Sequence, residues 1–415
     1  MTRVEPDVRA AAPTLNGVLF GAVRRGTDPL RRAPWWAKVS LLFLATRLVA
    51  YWIFLGVALH QGPSPWGAGQ PGYLQFIGIW DSEWYQRIFS GGYPSVLPRG
   101  DDGAVQTNAW AFYPLFPLLV RGLNAVTGLG WEVAAPLVAF AAAWAAALMV
   151  FVLFRRFAEP ATALWGTAFV FTFPASPILQ VPYAESLNLL LLAAALYLLS
   201  ARNYWAALPM VVLMGFSRPT GVPFAAVVGL HLALRWWNRR KDPFPGAELA
   251  SGAVLLVGAA VAAVAWPVIA WAATGDMRAY MDTETSWRGH TLVLFKPWFD
   301  AGAGLAGPLW GWLLPVLLAA LAVLYLTSRP VVRLGPDLRL WCAVYLLYLL
   351  AVLDPQTSTF RMMLPFFPLG LAAAHLSRSR AYRGAVLVFF VLLQIVWVAW
   401  LWRWTELPGG GDYPP

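Results

Sequence analysis

Phe112-Tyr113-Pro114-Leu115-Phe116-Pro117-Leu118-Leu119-Val120-Arg121-Gly122-Leu123-Asn124-Ala125-Val126 decides how this chain is threaded. The stretch is apolar enough to enter a bilayer, but Pro114, Pro117 and Arg121 interrupt it. Read as a full span, it would put Arg155-Arg156 outside and invert every later loop. Read as an interfacial or re-entrant helix, it leaves Arg155-Arg156 inside, where the Lys and Arg of short loops concentrate. The charge bias selects the second reading.

On both sides of this stretch, apolar runs recur from Leu41 to Trp402, many of them near the 20 or so residues that a bilayer-crossing helix needs. Of the 415 residues, 59% are hydrophobic and only 12% are charged, whereas soluble domains carry about 25% charged residues. Such a chain cannot cover a water-facing surface. The runs are continuous and do not alternate with period two, which argues against an outer-membrane barrel. The expected fold is all-α, a polytopic transmembrane bundle of about eleven spans with interfacial helices in a long first extracytoplasmic loop. The first span is expected at Val39–Leu59. The next fall at Val133–Phe154, Thr162–Leu179, Ala184–Leu199, Trp205–Phe216 and Val222–Trp236. The last are expected at Ala250–Ala273, Leu305–Leu326, Leu340–Leu353, Met362–Leu376 and Ala385–Trp402. Several middle spans are short, as is tolerated where helices line a water-filled cavity.

The formal net charge of +10 would suggest nucleic acid in a soluble protein. Here the basic residues sit in short clusters between apolar runs, where they set orientation and meet anionic headgroups. The bilayer is the expected partner and nucleic acid is not. Residues 1–34 read as a flexible cytoplasmic tail, without a cleavable signal peptide. Residues 35–404 form the membrane domain, with 61–130 as its first outer loop, and 405–415 read as a disordered tail. Cys342 is the single cysteine, so no internal disulfide can form. No His, Cys and carboxylate cluster has metal spacing. No cofactor is implied, although a divalent metal stays compatible.

The first outer loop is where chemistry gathers. It opens Ile79-Trp80-Asp81-Ser82-Glu83-Trp84-Tyr85, continues through Gly91-Gly92-Tyr93-Pro94, and closes on Ala111 to Pro117. Tyr73 to Phe89 reads as one interfacial helix, and Pro94 to Asn108 as a mobile surface segment. Ionisable groups at membrane depth are costly and mark functional paths. On this threading Asp81 with Glu83, Glu185, Arg218 and Arg361 converge on the outer face. The loop Asp276 to Asp300 is a further candidate, with Trp287, Arg288, His290 and Lys296. Arg218 and Arg361 run against the positive-inside rule, and a lipid phosphate suits their planar donor forks. Each residue alone has a plainer use. Asp81 could cap a helix, Glu185 could favour a helix N-terminus, the arginines could snorkel, and Trp80 and Trp84 could be interfacial belt residues. The constellation carries more weight than its members.

These motifs resemble the PIG-V family, the GPI mannosyltransferase 2 family. The resemblance lies in Trp80-Asp81 with Trp84-Tyr85, Gly92-Tyr93-Pro94, Ala111 to Pro117, Tyr183-Ala184-Glu185-Ser186-Leu187, Ser217 to Gly221, and Arg361 followed by Pro365-Phe366-Phe367-Pro368. It covers roughly Trp36 to Leu376 in motif order. It implies a GT-C glycosyltransferase, inverting, that takes mannose from a polyprenyl-phosphate mannose donor. Asp81 matches the family's first-loop acidic residue, taken as the catalytic base. Trp80, Glu83, Trp84, Tyr85, Tyr113 and Glu185 would orient the acceptor or the site, Arg218 and Arg361 would bind donor phosphate, and Arg288 and His290 are further candidates. The family often has Phe where Tyr113 stands and Asn where Pro219 or Thr220 stands, which bears on acceptor identity. A glycan, glycolipid or protein acceptor fits. The Ala, Arg and Trp-rich composition suggests a GC-rich bacterium, hence a multi-pass protein of the cytoplasmic membrane with an extracytoplasmic site. A transporter or flippase of lipid-linked sugars would share the cavity and the arginines but needs polar groups at mid-membrane and on both faces. A non-catalytic subunit of an envelope complex is a third reading.

Overall fold

The computed structural model describes residues 32–289, 291–407 and 415. His290, residues 1–31 of the predicted N-terminal tail and residues 408–414 of the predicted C-terminal tail lie outside the described residues. Among the described residues the chain is helical, with no β structure beyond the isolated bridges Ser64–Gly67 and Arg99–Val105. In a bilayer, backbone polar groups find no water, so apolar runs close their hydrogen bonds within each helix.

The first helix, α1, is Trp35–Ala58. The long loop after it carries α2 (Tyr73–Ile77), α3 (Asp81–Gly91) and α4 (Leu115–Thr127). The bundle continues with α5 (Trp131–Phe154), α6 (Pro160–Thr172), α7 (Glu185–Ser200), α8 (Tyr204–Gly215), α9 (Gly221–Trp237) and α10 (Gly246–Thr274). A short loop helix, α11 (Ala279–Thr285), precedes α12 (Lys296–Leu326), α13 (Arg329–Val332), α14 (Gly335–Val352), α15 (Pro368–Leu376) and α16 (Arg380–Trp397). Among the described residues six helices are long and apolar enough to cross a membrane: α1, α5, α10, α12, α14, and α16 with its π-helical extension to Trp402. The chain is a multi-pass membrane protein of the all-helical class.

The expected span bounds shift most in three places, one of them Met362–Leu376, where the 3₁₀ segment Thr357–Phe366 leaves only the nine-residue helix Pro368–Leu376. Lys296–Leu326 is broken at Gly307, whose φ of 78° turns the chain sharply enough to bring Gly302 against the Gly311 backbone. The straight part therefore starts near the expected Leu305. The expected span Thr162–Leu179 ends early. Helix α6 stops at Thr172, followed by irregular chain and a 3₁₀ turn at Ser176–Gln180.

That irregular chain is buried, so its carbonyls need donors. Arg47, in the middle of α1, donates to Ser176 O at 2.7 Å and Phe171 O at 2.6 Å. Gln394 of α16 donates to Thr172 O at 2.8 Å. These bonds hold the loop that carries Tyr183 and Glu185. Beneath it α5 packs on α7 through buried Ala139, Ala143, Ala146 and Ala147, small residues that let backbones approach closely.

The outer loop differs from its expected form. Tyr73 to Phe89 is two helices, parted at Gly78-Ile79-Trp80, because Trp80 takes a φ of 61° and its Nε1 donates to Trp402 O at 2.7 Å. The expected mobile segment, Pro94 to Asn108, is docked. Leu97 and Val105 join Trp110, Trp266 and Ala270 in a small second core, and Arg99 pairs with Asp276 at 3.0 Å. Helix α4, at 13 residues, is about 20 Å long and falls short of a bilayer core of roughly 30 Å. Arg121 on it donates to Ile88 O at 2.9 Å and Phe89 O at 3.0 Å.

Candidate functional site

Four chain segments end at one cavity of about 450 Å³. They are the start of α3, the start of α7, the turn between α8 and α9, and the 3₁₀ segment Thr357–Phe366. Asp81 is the first residue of α3, and its backbone N–H donates to the Tyr183 hydroxyl at 2.8 Å. That hydroxyl donates onward to Ile79 O at 3.3 Å. The backbone bond therefore fixes where Asp81 begins its helix.

Charge is concentrated at this end. Arg361 Nη1 lies 2.5 Å from Asp81 Oδ2 and 3.6 Å from Glu185 Oε1. Arg218 pairs with the same Glu185 oxygen. The side chains of Arg361 and Glu185 are 8% and 7% exposed, and Asp81 is more open at 19%. Burial opposes the charge on both arginines, but the carboxylates beside them outweigh it and raise their pKa values. Two acids and two bases thus form a neutral cluster at the cavity wall.

The cluster is not internally saturated. Glu185 Oε2 and Arg361 Nε are buried without a hydrogen-bond partner among the described residues. Buried polar groups are nearly always paired, so these two atoms show that the cluster is not fully satisfied within the protein. Behind the cluster, Asn188 donates to Thr220 Oγ1 at 2.7 Å and ties α7 to the turn that holds Arg218.

Aromatic residues make the outer rim. Trp66 Nε1 donates to Glu83 Oε2 at 3.0 Å, and Glu83 also pairs with Arg87. Trp84 stacks on Phe112 with ring centres 5.6 Å apart and meets the edge of Trp287 at 5.9 Å. Among the described residues no group of three or more His, Cys, Asp or Glu is placed to hold a metal ion.

No family model matches this sequence. No curated protein matches it either. Among solved structures, the chain is similar to the crystal structure of ArnT from Cupriavidus metallidurans bound to undecaprenyl phosphate, at 15% identity and a TM-score of 0.48, over 84% of this chain and 62% of that one. It is also similar to the crystal structure of the Archaeoglobus fulgidus oligosaccharyltransferase in complex with Zn and sulfate, at 13% identity and a TM-score of 0.47, over 86% of this chain and 53% of that one. The chain thus spans less than two thirds of the length of either.

The cavity gathers Asp81, Trp80, Glu83, Trp84, Glu185, Arg218, Arg288 and Arg361 from the sequence candidates. Two others are placed elsewhere. Tyr113 is turned into the second core, its hydroxyl 3.0 Å from that of Tyr280, and does not line the cavity. Tyr85 is buried behind the wall, edge-on to Phe112 at 5.4 Å and Phe116 at 5.5 Å. Pattern alone could not tell these rings from cavity-lining ones, since Tyr113 and Tyr85 sit in the same motifs as residues that do face the site. Glu284 and Tyr348 also line the cavity and were not singled out. Glu284 had a readable signal, because it stands three and four residues before Trp287 and Arg288, and such spacing shares one helix face.

Proposed function

We propose that this protein is a membrane glycosyltransferase that moves a sugar, mannose by family resemblance, from a polyprenyl-phosphate donor to an acceptor hydroxyl. The observation that supports it most is the meeting of Asp81, Glu185, Arg218 and Arg361, from four distant segments, in one cavity. Arg218 and Arg361 take the donor phosphate through their planar forks. Phosphate competes with Asp81 for Arg361, so donor binding frees the carboxylate when it is needed as a base. Asp81 then accepts the acceptor's hydroxyl proton, and the oxygen attacks the anomeric carbon. The bond from that carbon to the phosphate oxygen breaks, the anomeric centre inverts, and polyprenyl phosphate leaves with the negative charge. The two guanidinium groups stabilise that charge in a site poor in water. Asp81 works within hydrogen-bond reach, as general-base catalysis requires.

A lipid-linked sugar flippase is the rival. Asp81, Glu185, Arg218 and Arg361 all line one cavity, which favours chemistry at a single site over a path with polar groups on both faces. The test uses purified full-length protein in lipid nanodiscs, radiolabelled polyprenyl-phosphate mannose and a membrane-lipid extract as acceptor. Labelled product from wild type is expected, with Asp81→Asn abolishing transfer while donor binding persists. Near-normal turnover by Asp81→Asn would remove Asp81 from the mechanism. Movement of intact donor between leaflets, without product, would establish the flippase.

A further inference from the structure

The cavity has a second wall, chemically unlike the first. It comes from α11 and the 3₁₀ turn Ser286–Arg288 that follows it. Glu284, Trp287 and Arg288 share one face and line the cavity, while the other face is anchored. There Thr283 accepts from Asn108 Nδ2 at 2.8 Å, and the Tyr280 hydroxyl meets that of Tyr113 at 3.0 Å. The wall is therefore a built feature and not a loose loop.

Its chemistry points to one ligand class. Trp84 and Trp287 meet edge to face and form an aromatic corner. Beside it Glu284 faces the Tyr280 hydroxyl and Arg288 Nη2, the latter at 3.8 Å because Arg288 spends another donor on Val352 O. The Glu284 side chain is 26% exposed, so its oxygens can accept bonds from a ligand. Glu83 pairs with Arg87 and Glu284 with Arg288, so the wall carries no net charge to attract an anion. A cation gains little, since Arg87 already lies over the Trp84 ring at 4.6 Å and Arg288 stands alongside. An apolar tail would leave a carboxylate desolvated and unpaired. A neutral sugar ring fits all three features: axial C–H groups against indole, and a pair of hydroxyls donating to one carboxylate.

We infer that the α11 wall is the saccharide subsite of the acceptor, with Trp84 and Trp287 covering the ring and Glu284 accepting from two of its hydroxyls. The assignment rests on the glycosyltransferase reading for the sugar's fate, but binding itself needs no turnover. It places the acceptor across the cavity from Arg218 and Arg361. Asp81 belongs to the first wall and lines the same cavity as Glu284, so a sugar hydroxyl held by the second wall can turn toward it. The acceptor is thereby a glycan or glycolipid with a terminal neutral sugar.

Saturation-transfer NMR on the full-length protein in nanodiscs tests this, with methyl α-mannopyranoside as probe and tetramethylammonium as cationic comparator. Wild type is expected to transfer saturation to the glycoside ring protons and not to the cation. Trp287→Ala and Glu284→Ala each weaken glycoside binding by about tenfold or more, and Glu284→Gln restores part of it. Polyprenyl-phosphate binding, measured on the same samples, stays at the wild-type level and shows that the variants are folded. Glycoside binding untouched by both alanine variants, preference for tetramethylammonium, or no glycoside binding at millimolar probe would each overturn the subsite. Loss of polyprenyl-phosphate binding or turnover with the glycoside response intact would instead count against the proposed function.

Discussion

Arg361 is the residue on which the cavity wall turns, because it faces both Asp81 and Glu185 at once. Removing it leaves two carboxylates close together with only Arg218 to compensate. Breaking a buried pair costs at most roughly 3–5 kcal/mol, and water in the cavity reduces that. Arg361→Ala is therefore expected to lower thermal stability, measured by intrinsic fluorescence in nanodiscs, and to abolish donor binding. Combining it with Asp81→Asn should recover part of the stability and none of the transfer. Full additivity of the two stability losses would show that the ion pair is not coupled. The acid and arginine positions of this cluster were legible in the sequence, since ionisable groups are rare in apolar chains, Glu185, Arg218 and Arg361 stand at predicted span ends, and Asp81 stands in the aromatic-rich first loop. What pattern did not reveal was the pairing. Which oxygen of Glu185 is shared by two arginines, and which is left free, depends on rotamers that only packing sets. Glu284 was missed for a related reason: its neighbours in the loop are polar too, so scarcity gave no signal. Its carboxyl is raised above the ordinary glutamate range by burial, against the pull of Arg288 and the Tyr280 hydroxyl. Tyr348, Arg218 and Asp81 face it from α14, the α8–α9 turn and α3. The carboxylate is the form that accepts from sugar hydroxyls, so glycoside binding should weaken as pH falls through this raised pKa. The decline should start above the range of an ordinary glutamate and be flattened in Glu284→Gln. A glycoside pH profile identical in wild type and Glu284→Gln would contradict this.

At the scale of elements, the start of α3 explains why Asp81 points where it does. Trp80 holds φ 61° and ψ −129°, a conformation that glycine adopts freely and other residues only under constraint. Such a backbone costs of order 1–3 kcal/mol. It persists because the ring is buried, lies 5.0 Å from Trp66, and bonds to Trp402 O. The strained residue breaks what the apolar pattern reads as one interfacial helix and lets α3 begin at Asp81, with its backbone N–H on Tyr183. Pattern could register the Trp-Asp pair but not the break, because hydrophobic spacing carries no information about φ. The positive φ sets the expected order of substitutions at this N-cap position. Both Trp80→Gly and Trp80→Ala lose the ring, but glycine relieves the backbone and alanine does not. Trp80→Gly should therefore unfold at the higher temperature in a thermal melt. The reverse order would mean that the positive φ is not maintained once the ring is gone.

Across the whole molecule, two charged clusters are joined by α9, and of these two only the one at the cavity has buried atoms without partners. The α9 helix begins three residues after Arg218 and reaches Arg235 near its other end, about 21 Å along the axis. There Arg235 bonds Glu248 through Nε at 2.9 Å and Nη2 at 3.0 Å, and Asp242 at 2.6 Å. Tyr204 joins Glu248 at 3.1 Å and His231 Nε2 at 3.0 Å, and His231 Nδ1 meets Asp337 at 2.6 Å. This network clamps α8, α9, α10 and α14, and none of its side chains is among the buried polar atoms without a partner. A closed network offers a ligand nothing, whereas the cavity cluster leaves Glu185 Oε2 and Arg361 Nε without partners and the Asp81 side chain partly open. The far cluster therefore acts as scaffold: it fixes the rotation of α9 and α14, and through them Arg218 and the Tyr348 wall. His231→Leu should cost roughly 1–3 kcal/mol for each polar group left without its partner, seen as a lowered midpoint of thermal unfolding in nanodiscs. Polyprenyl-phosphate affinity, measured on the folded fraction, should stay within a factor of about two, well inside the tenfold that 1.4 kcal/mol represents. If that affinity fell in step with stability, the far end of α9 would be part of the binding machinery, and a two-faced path of the kind a flippase needs would regain its standing.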